Sequence, residues 1–178
     1  RGEAVSDGAE RRLLDPQAHV LVVEDDGEMR TLVARLLREA SLRVSTARDG
    51  REMWDVLEGP SGPPDLVLLD ILMPVLDGFQ TLERMKADEK LKHIPVIMIT
   101  ALDEVSATVR CIEAGAEDYV PKPFNPIILR ARIGASLEKK RLRDKERAYL
   151  AEIQAERAKS DQLLLNVLPK AIELGPDV

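Results

Sequence analysis

The sequence predicts an α/β fold: a doubly wound, five-stranded parallel sheet, (βα)5, in strand order 2-1-3-4-5, followed by a long C-terminal helix that forms a coiled coil. Three observations predict it. Strand-like and helix-like segments alternate five times between residues 18 and 137. The strand-like segments are short, continuous apolar runs, as expected where helices cover both faces of a sheet. Beyond residue 137 the helical pattern continues without Gly or Pro as far as Pro169.

Residues 1–17 are polar and aperiodic and read as a flexible leader. Residues 18–23 are an apolar run ending in acids, a buried first strand. Met29, Leu32, Val33, Leu36 and Leu37 recur at helical spacing. Residues 42–46 alternate like an edge strand. Met53, Trp54 and Leu57 mark a second helix, and the Gly/Pro-rich stretch 59–64 is a loop. Residues 66–69 form a third strand capped by Asp70. A helix over 77–87, a strand over 94–99 and a helix over 103–114 follow, the last stopping at Gly115. Residues 117–120 make a short fifth strand, and the final helix starts near Asn125. The expected organisation is a leader (1–17), a sheet domain (18–137), a signalling helix (138–168) and the start of a linker (169–178). With Arg1 rather than Met at its start, the chain is expected to be a fragment or a trimmed form of a longer protein.

Composition excludes several classes. The 26 Lys and Arg against 32 Asp and Glu leave a net charge of −6, and aromatic residues are 3%. Both argue against a nucleic-acid binder. One cysteine excludes an intramolecular disulfide framework and a Cys-rich zinc site. No apolar run approaches the roughly 18 to 20 residues of a membrane span, and no signal peptide is visible. A soluble, cytoplasmic protein without membrane partners is expected.

In folds of this class, functional groups gather beyond the carboxyl ends of the strands. The residues there are Glu24, Asp25, Asp70, Thr100 and Lys122. Three carboxylates at one edge repel each other unless a hard divalent cation, Mg²⁺ or Mn²⁺, sits among them on oxygen ligands. One carboxylate could then attack a phosphoryl group, with the hydroxyl of Thr100 and the ammonium of Lys122 neutralising its oxygens. Outside this edge, His19, His93, Cys111 and Trp54 read as packing or surface residues. The basic run Lys139, Lys140, Arg141 reads as a solvated helix face.

Four stretches carry a family resemblance: Val22-Val23-Glu24-Asp25; Asp70-Ile71-Leu72-Met73-Pro74-Val75-Leu76-Asp77-Gly78; Ile99-Thr100-Ala101; and Asp118-Tyr119-Val120-Pro121-Lys122-Pro123-Phe124. In this order and spacing they resemble a bacterial two-component response-regulator receiver domain of the CheY-like kind. The resemblance implies that Asp70 is the phosphoacceptor and Asp25 a direct Mg²⁺ ligand. Glu24 would hold the metal mainly through water, and the Leu72 backbone carbonyl would complete the set. Thr100 would be the switch hydroxyl, Tyr119 the aromatic switch, and Lys122 the partner of Asp70 and then of phosphate. The Lys122–Pro123 bond would be cis. Leu72 and Leu102 would flank the path of the hydrolytic water and, being apolar, make the acyl phosphate long-lived. The implied donor is a histidine kinase or phosphotransfer protein, and the implied role is regulatory rather than enzymatic. Two other readings are a Mg²⁺-dependent phosphohydrolase with an aspartyl nucleophile and a flavin module. The first would place its nucleophile in an Asp-x-Asp motif after the first strand, where this chain has Glu24-Asp25-Asp26. The second would meet an acidic loop hostile to phosphate.

Residues 138–161 carry 8 Lys/Arg and 6 Asp/Glu. A seven-residue spacing runs through Leu142, Tyr149, Glu156 and Leu163, with Glu146, Ile153, Ser160 and Val167 between them. Three of these eight positions are polar, so a parallel homodimeric coiled coil of marginal strength is expected, with Leu142, Tyr149, Ile153, Leu163 and Val167 as its apolar seam. The segment from Glu156 through Asn166, Leu168, Pro169 and Ile172 also resembles the signalling helix before class III adenylate or guanylate cyclase domains. That resemblance implies a nucleotide cyclase as the output domain of the parent protein.

Overall fold

The computed structural model describes residues 17–73, 77–101 and 105–167. The elements are β1 (His19–Val23), α1 (Gly27–Glu39), β2 (Arg43–Ala47), α2 (Gly50–Leu57), β3 (Leu66–Asp70), α3 (Gly78–Ala87), β4 (Val96–Thr100), α4 (Val105–Glu113), β5 (Asp118–Pro121) and α5 (Pro126–Val167). The five strands form one parallel sheet in the order β2-β1-β3-β4-β5, as the sequence predicts. The predicted leader (1–17) lies outside the described residues except for Gln17, and the linker (169–178) lies outside them entirely. So do 74–76 of the second quoted stretch, Leu102, and the first residues expected of the fourth helix.

Alternation along the strands builds two cores. Leu21, Val23, Val67, Leu69, Val96 and Met98 face the layer of α2, α3 and α4, where Met53, Leu57, Phe79, Leu82, Met85 and Cys111 close on them. Val20, Val22, Leu66, Leu68, Ile97 and Ile99 face α1 and α5, meeting Val33, Leu37, Leu129 and Ile133. The three central strands are buried at every position, whereas β2 is largely not. This is why β1, β3 and β4 read as unbroken apolar runs and β2 alternates. Cys111 is fully buried, in keeping with a packing role.

Local chemistry sets the helix starts. Asp26 caps α1 by accepting the Met29 N–H at 2.8 Å, so the third acid of the first acidic run is a cap. Asp49 does the same for α2. Asp77 and Gln80 form a reciprocal capping box on α3. Each cap contributes about 1 kcal/mol. The fourth strand starts two residues later than the sequence suggests. Ile94 is drawn into a turn by its N–H bond to the Leu91 carbonyl, and Pro95 accepts from Val67 but has no N–H to donate.

The chain divides into two compact units, Arg1–Lys140 and Arg141–Val178, and α5 supplies residues to both. In the first unit the basic run keeps Lys139 exposed, as it does Arg141 just beyond, as expected of a solvated face, and adds ion pairs that the sequence does not show. Lys139 pairs with Glu117 at 2.6 Å and Lys140 with Asp65 at 3.5 Å, while Arg132 grips both oxygens of Asp118 at 2.6 and 2.7 Å. These are long-range contacts that a local charge pattern does not reveal. In the second unit Leu142, Tyr149, Leu163 and Val167 are all exposed, with Ile153 intermediate.

His19 is buried in β1, with its Nε2 2.8 Å from Ser45 Oγ and no hydrogen-bond partner for Nδ1 among the described residues. Burial, and after it the Arg43 guanidinium, hold the imidazole below its ordinary pKa, with Asp65 acting the other way. A lowered folded-state pKa means the unfolded chain takes up the proton first. The neutral His19 therefore contributes stability that is complete above about pH 6.5 and declines as pH falls below it. Melting curves of wild type and His19→Gln between pH 8 and pH 5 should show the wild type losing more stability. Parallel curves would exclude His19 as the source.

Candidate functional site

The site forms where β1, β3, β4 and β5 end at the same sheet edge. Glu24 follows β1, with its N–H bonded to the Ala47 carbonyl at 3.1 Å and its side chain buried. Asp70 is the last residue of β3 and Thr100 the last of β4, each 2% exposed. Lys122 follows β5, and its N–H donates to the Thr100 carbonyl at 2.6 Å. The Lys122–Pro123 peptide bond is cis. Glu24, Asp25 and Asp70 each offer an oxygen to one cluster, all within 4.8 Å of one another, and Asp25 is the exposed member.

Lys122 Nζ lies 2.8 Å from Glu24 Oε2 and 3.3 Å from Asp70 Oδ2. The sequence reading pairs Lys122 with Asp70 alone; the shorter bond is to Glu24. One ammonium is thus shared by two buried carboxylates. Burial pushes the Asp70 carboxyl up more than Lys122 pulls it down, and Glu24 is likewise raised by burial against its bond to Lys122. Burial lowers Lys122, but Glu24 and Asp70 together outweigh it, so its net shift is upward.

Arg30 escapes the motif reading, and Gly78 closes the second quoted stretch without a role assigned to it. Arg30, in the first turns of α1, donates from one guanidinium nitrogen to the Glu24 carbonyl at 2.8 Å and the Asp25 carbonyl at 3.2 Å. It ties down the loop carrying two of the three carboxylates. The available signal was an Arg one helical turn beyond an acidic strand end, which is too common to single out. Gly78 opens α3 with its N–H on the Ile71 carbonyl at 3.0 Å. It lies so close beneath Asp70 that a Cβ would meet Ile71 Cα at 2.8 Å and Asp70 C at 3.0 Å.

The other predicted residues are placed as follows. Leu72 is 54% exposed, and its N–H donates to Asp70 Oδ1 at 3.3 Å. Tyr119 is partly buried against the core under α2, α3 and α4, with the Arg132 guanidinium 6.0 Å from its ring centre. Leu142, Tyr149, Ile153, Leu163 and Val167 belong to the second unit.

The donor set fits a hard divalent cation: carboxylate oxygens, close together, two of them buried and short of positive charge. The site is thus an acidic pocket at the carboxyl edge of a parallel α/β sheet, flanked by a buried hydroxyl and an ammonium. Residues 20–134 match the family model of the response regulator receiver domain, and the chain belongs to that family. It is therefore a receiver of two-component signal transduction.

The chain is 37% identical over 120 residues to the response regulator GtcR of Aneurinibacillus migulanus, covering 67% of this chain and 48% of that protein. The chemotaxis protein CheY4 of Vibrio cholerae has a solved structure that superposes with a TM-score of 0.59 at 30% identity, covering 65% of this chain and 95% of that one. A structure described as a "probable two-component system response regulator/GGDEF domain protein" superposes with a TM-score of 0.68 at 30% identity, covering 74% of this chain and 53% of that one. The chain spans about half the length of the first curated relatives it matches. Among the described residues no helix is long and apolar enough to cross a membrane.

Proposed function

We propose that this receiver takes a phosphoryl group onto Asp70 from a phosphohistidine of a histidine kinase or phosphotransfer protein. The observation that carries the reading is a buried carboxylate at a strand end, with an ammonium 3.3 Å away and two further carboxylates within cation-binding reach. An Asp70 oxygen forms the new P–O bond as the donor's P–N bond breaks, and the electron pair leaves with the imidazole. Lys122 and Thr100 stand at adjacent strand ends to meet the phosphoryl oxygens. Asp25, Asp70 and the Leu72 carbonyl would hold Mg²⁺ or Mn²⁺ directly, with Glu24 acting mainly through water. When bound, the cation supplies charge neutralisation for the transferring group.

The acyl phosphate adds roughly two negative charges in a buried site. Lys122 then turns from Glu24 and Asp70 toward phosphate, and Thr100 follows. Tyr119 repacks with the surface of α4, β5 and α5. Only contacts that differ between the two packings shift the population. In this reading residues 18–137 are the receiver and 138–168 a signalling helix that pairs with a second copy. Residues 169–178 begin a linker to an output domain, and 1–17 are a leader. The likeness of the Asn166 to Ile172 stretch to the helix before class III cyclases supports a nucleotide cyclase there. The GGDEF-domain neighbour, only about half covered by this chain, supports a receiver followed by an output domain in similar proteins.

The test is incubation with a small phosphodonor and Mg²⁺, followed by intact mass and phosphate release. One phosphoryl group per chain, retained for many minutes, is the expected result. Continuous turnover of phosphate esters would replace the receiver reading with a phosphohydrolase. Leu72, more than half exposed beside the acceptor, cannot orient water by hydrogen bonding. Leu72→Asn is therefore expected to speed phosphate loss about tenfold, roughly the value of one well-placed hydrogen bond. An unchanged decay rate would remove Leu72 from the lifetime argument; Leu102, its proposed counterpart, lies outside the described residues.

A further inference from the structure

The second unit is a helix with an exposed, interrupted apolar seam. The character of its flanking residues says how a second copy would lie on it. In a parallel, in-register pair, a residue at heptad position d packs beside the partner's e residue, one place later in sequence. A residue at a packs beside the partner's g residue, one place earlier. Leu142, Tyr149, Glu156 and Leu163 occupy d; Glu146, Ile153, Ser160 and Val167 occupy a.

Tyr149 then meets the partner's Leu150, and Leu163 meets the partner's Leu164. These two flanking leucines are 52% and 62% exposed, respectively, and the seam alone does not account for them. The two seam glutamates meet cations: Glu156 beside the partner's Arg157 and Glu146 beside the partner's Lys145. All four side chains are exposed and belong to the same unit. Glu152 at g also faces the partner's Arg157 at the next e position. Antiparallel pairing with full overlap removes this matching. It lays Glu156 beside the partner's Ile153 and Glu152, and Glu146 beside the partner's Leu163.

We infer that the second unit docks onto a second copy of itself in parallel and in register, and that Lys145–Glu146 and Glu156–Arg157 pairs between chains select that arrangement. This rests on the homodimer reading above and specifies its geometry. The two acidic layers lower stability relative to Leu at the same positions, and they disfavour the fully overlapped antiparallel pair and a parallel pair slipped by one heptad, neither of which brings the glutamates a cation.

The test uses the full chain and sedimentation equilibrium. Lys145→Glu with Arg157→Glu should weaken the dimer at least about tenfold, since each ion pair becomes a like-charge contact. Adding Glu146→Lys and Glu156→Lys to that variant should restore most of the affinity. Ser160→Cys, at an a position, should be oxidised by copper phenanthroline to a disulfide-linked dimer, whereas buried Cys111 should not react. A dimer indifferent to charge reversal, or not rescued by the swap, would overturn the proposed register and leave the homodimer reading standing. A dimer that fails to cross-link at position 160 would do the same. A wild-type monomer at every concentration, with and without beryllofluoride and Mg²⁺, would overturn both.

Discussion

Asp70→Asn is expected to accept no phosphoryl group and, in divalent-free buffer, to melt at a higher temperature than wild type. The first part follows from the loss of the only nucleophilic oxygen pair at the end of β3. The second follows from the charge balance of the pocket. Glu24 and Asp70 are both buried, and one Lys122 serves both. Burial holds both carboxyls above their ordinary pKa values. A raised folded-state value means that these groups favour folding fully at pH below the ordinary carboxylate range. That contribution is lost as pH rises through the raised values. At pH above the ordinary carboxylate range the burial of this pair therefore costs stability, and a neutral amide at position 70 relieves part of that cost. Lys122 then serves Glu24 alone, through the bond that is already the shorter.

Intact-protein mass after incubation with a phosphodonor checks the first part and a thermal melt checks the second. A phosphoryl gain on the Asn variant would move the acceptor elsewhere. A lower melting temperature would mean that the Lys122–Asp70 contact outweighs the desolvation of Asp70. Added Mg²⁺ should raise the wild-type melting temperature by mass action and raise that of Asp70→Asn less.

Gly78→Ala is expected to lose about 3 kcal/mol of stability, the upper range for overpacking, and to lose phosphoryl acceptance with it. In an ordinary helical position the same change favours folding by about 0.4–1 kcal/mol, through the unfolded chain. The sign reverses here because the new methyl has nowhere to go. It would collide with the Asp70 carbonyl oxygen and lie 2.8 Å from Ile71 Cα, all backbone atoms of the strand end that presents the acceptor. Relief requires either α3 to back away from β3 or Asp70 to shift, and each disturbs the pocket. Gly27→Ala is the matched control: Gly27 also opens a helix, yet its Cβ would meet only an Arg30 side-chain nitrogen, at 3.6 Å. A chemical denaturation series on the two variants checks the contrast, and equal midpoints would refute the close-approach argument.

Much of this molecule is legible along the chain. The strand positions and the membership of the site rest on local signals: apolar runs ending in Glu24, Asp70 and Thr100. Each needs only a few neighbours in sequence, so periodicity and motif spacing find it. The seven-residue spacing through Leu142, Tyr149 and Leu163 is likewise a local property of one helix.

What the sequence does not disclose is how charges are shared once distant strand ends meet. Lys122 and Glu24 are 98 positions apart, and their 2.8 Å bond exists only because β5 and β1 end at the same sheet edge. Lys140 and Asp65, and Lys139 and Glu117, likewise pair across long stretches of sequence, while Lys139 itself stays exposed. The clearance beneath Asp70, which only a glycine can leave, depends on α3 starting against the end of β3. The chain by itself determined which groups stand at the sheet edge, because side-chain pattern and turn chemistry act over a few residues. Only the tertiary structure decided which of them share a charge and how closely backbone approaches backbone, because Coulomb and contact energies depend on separation in space and not along the chain.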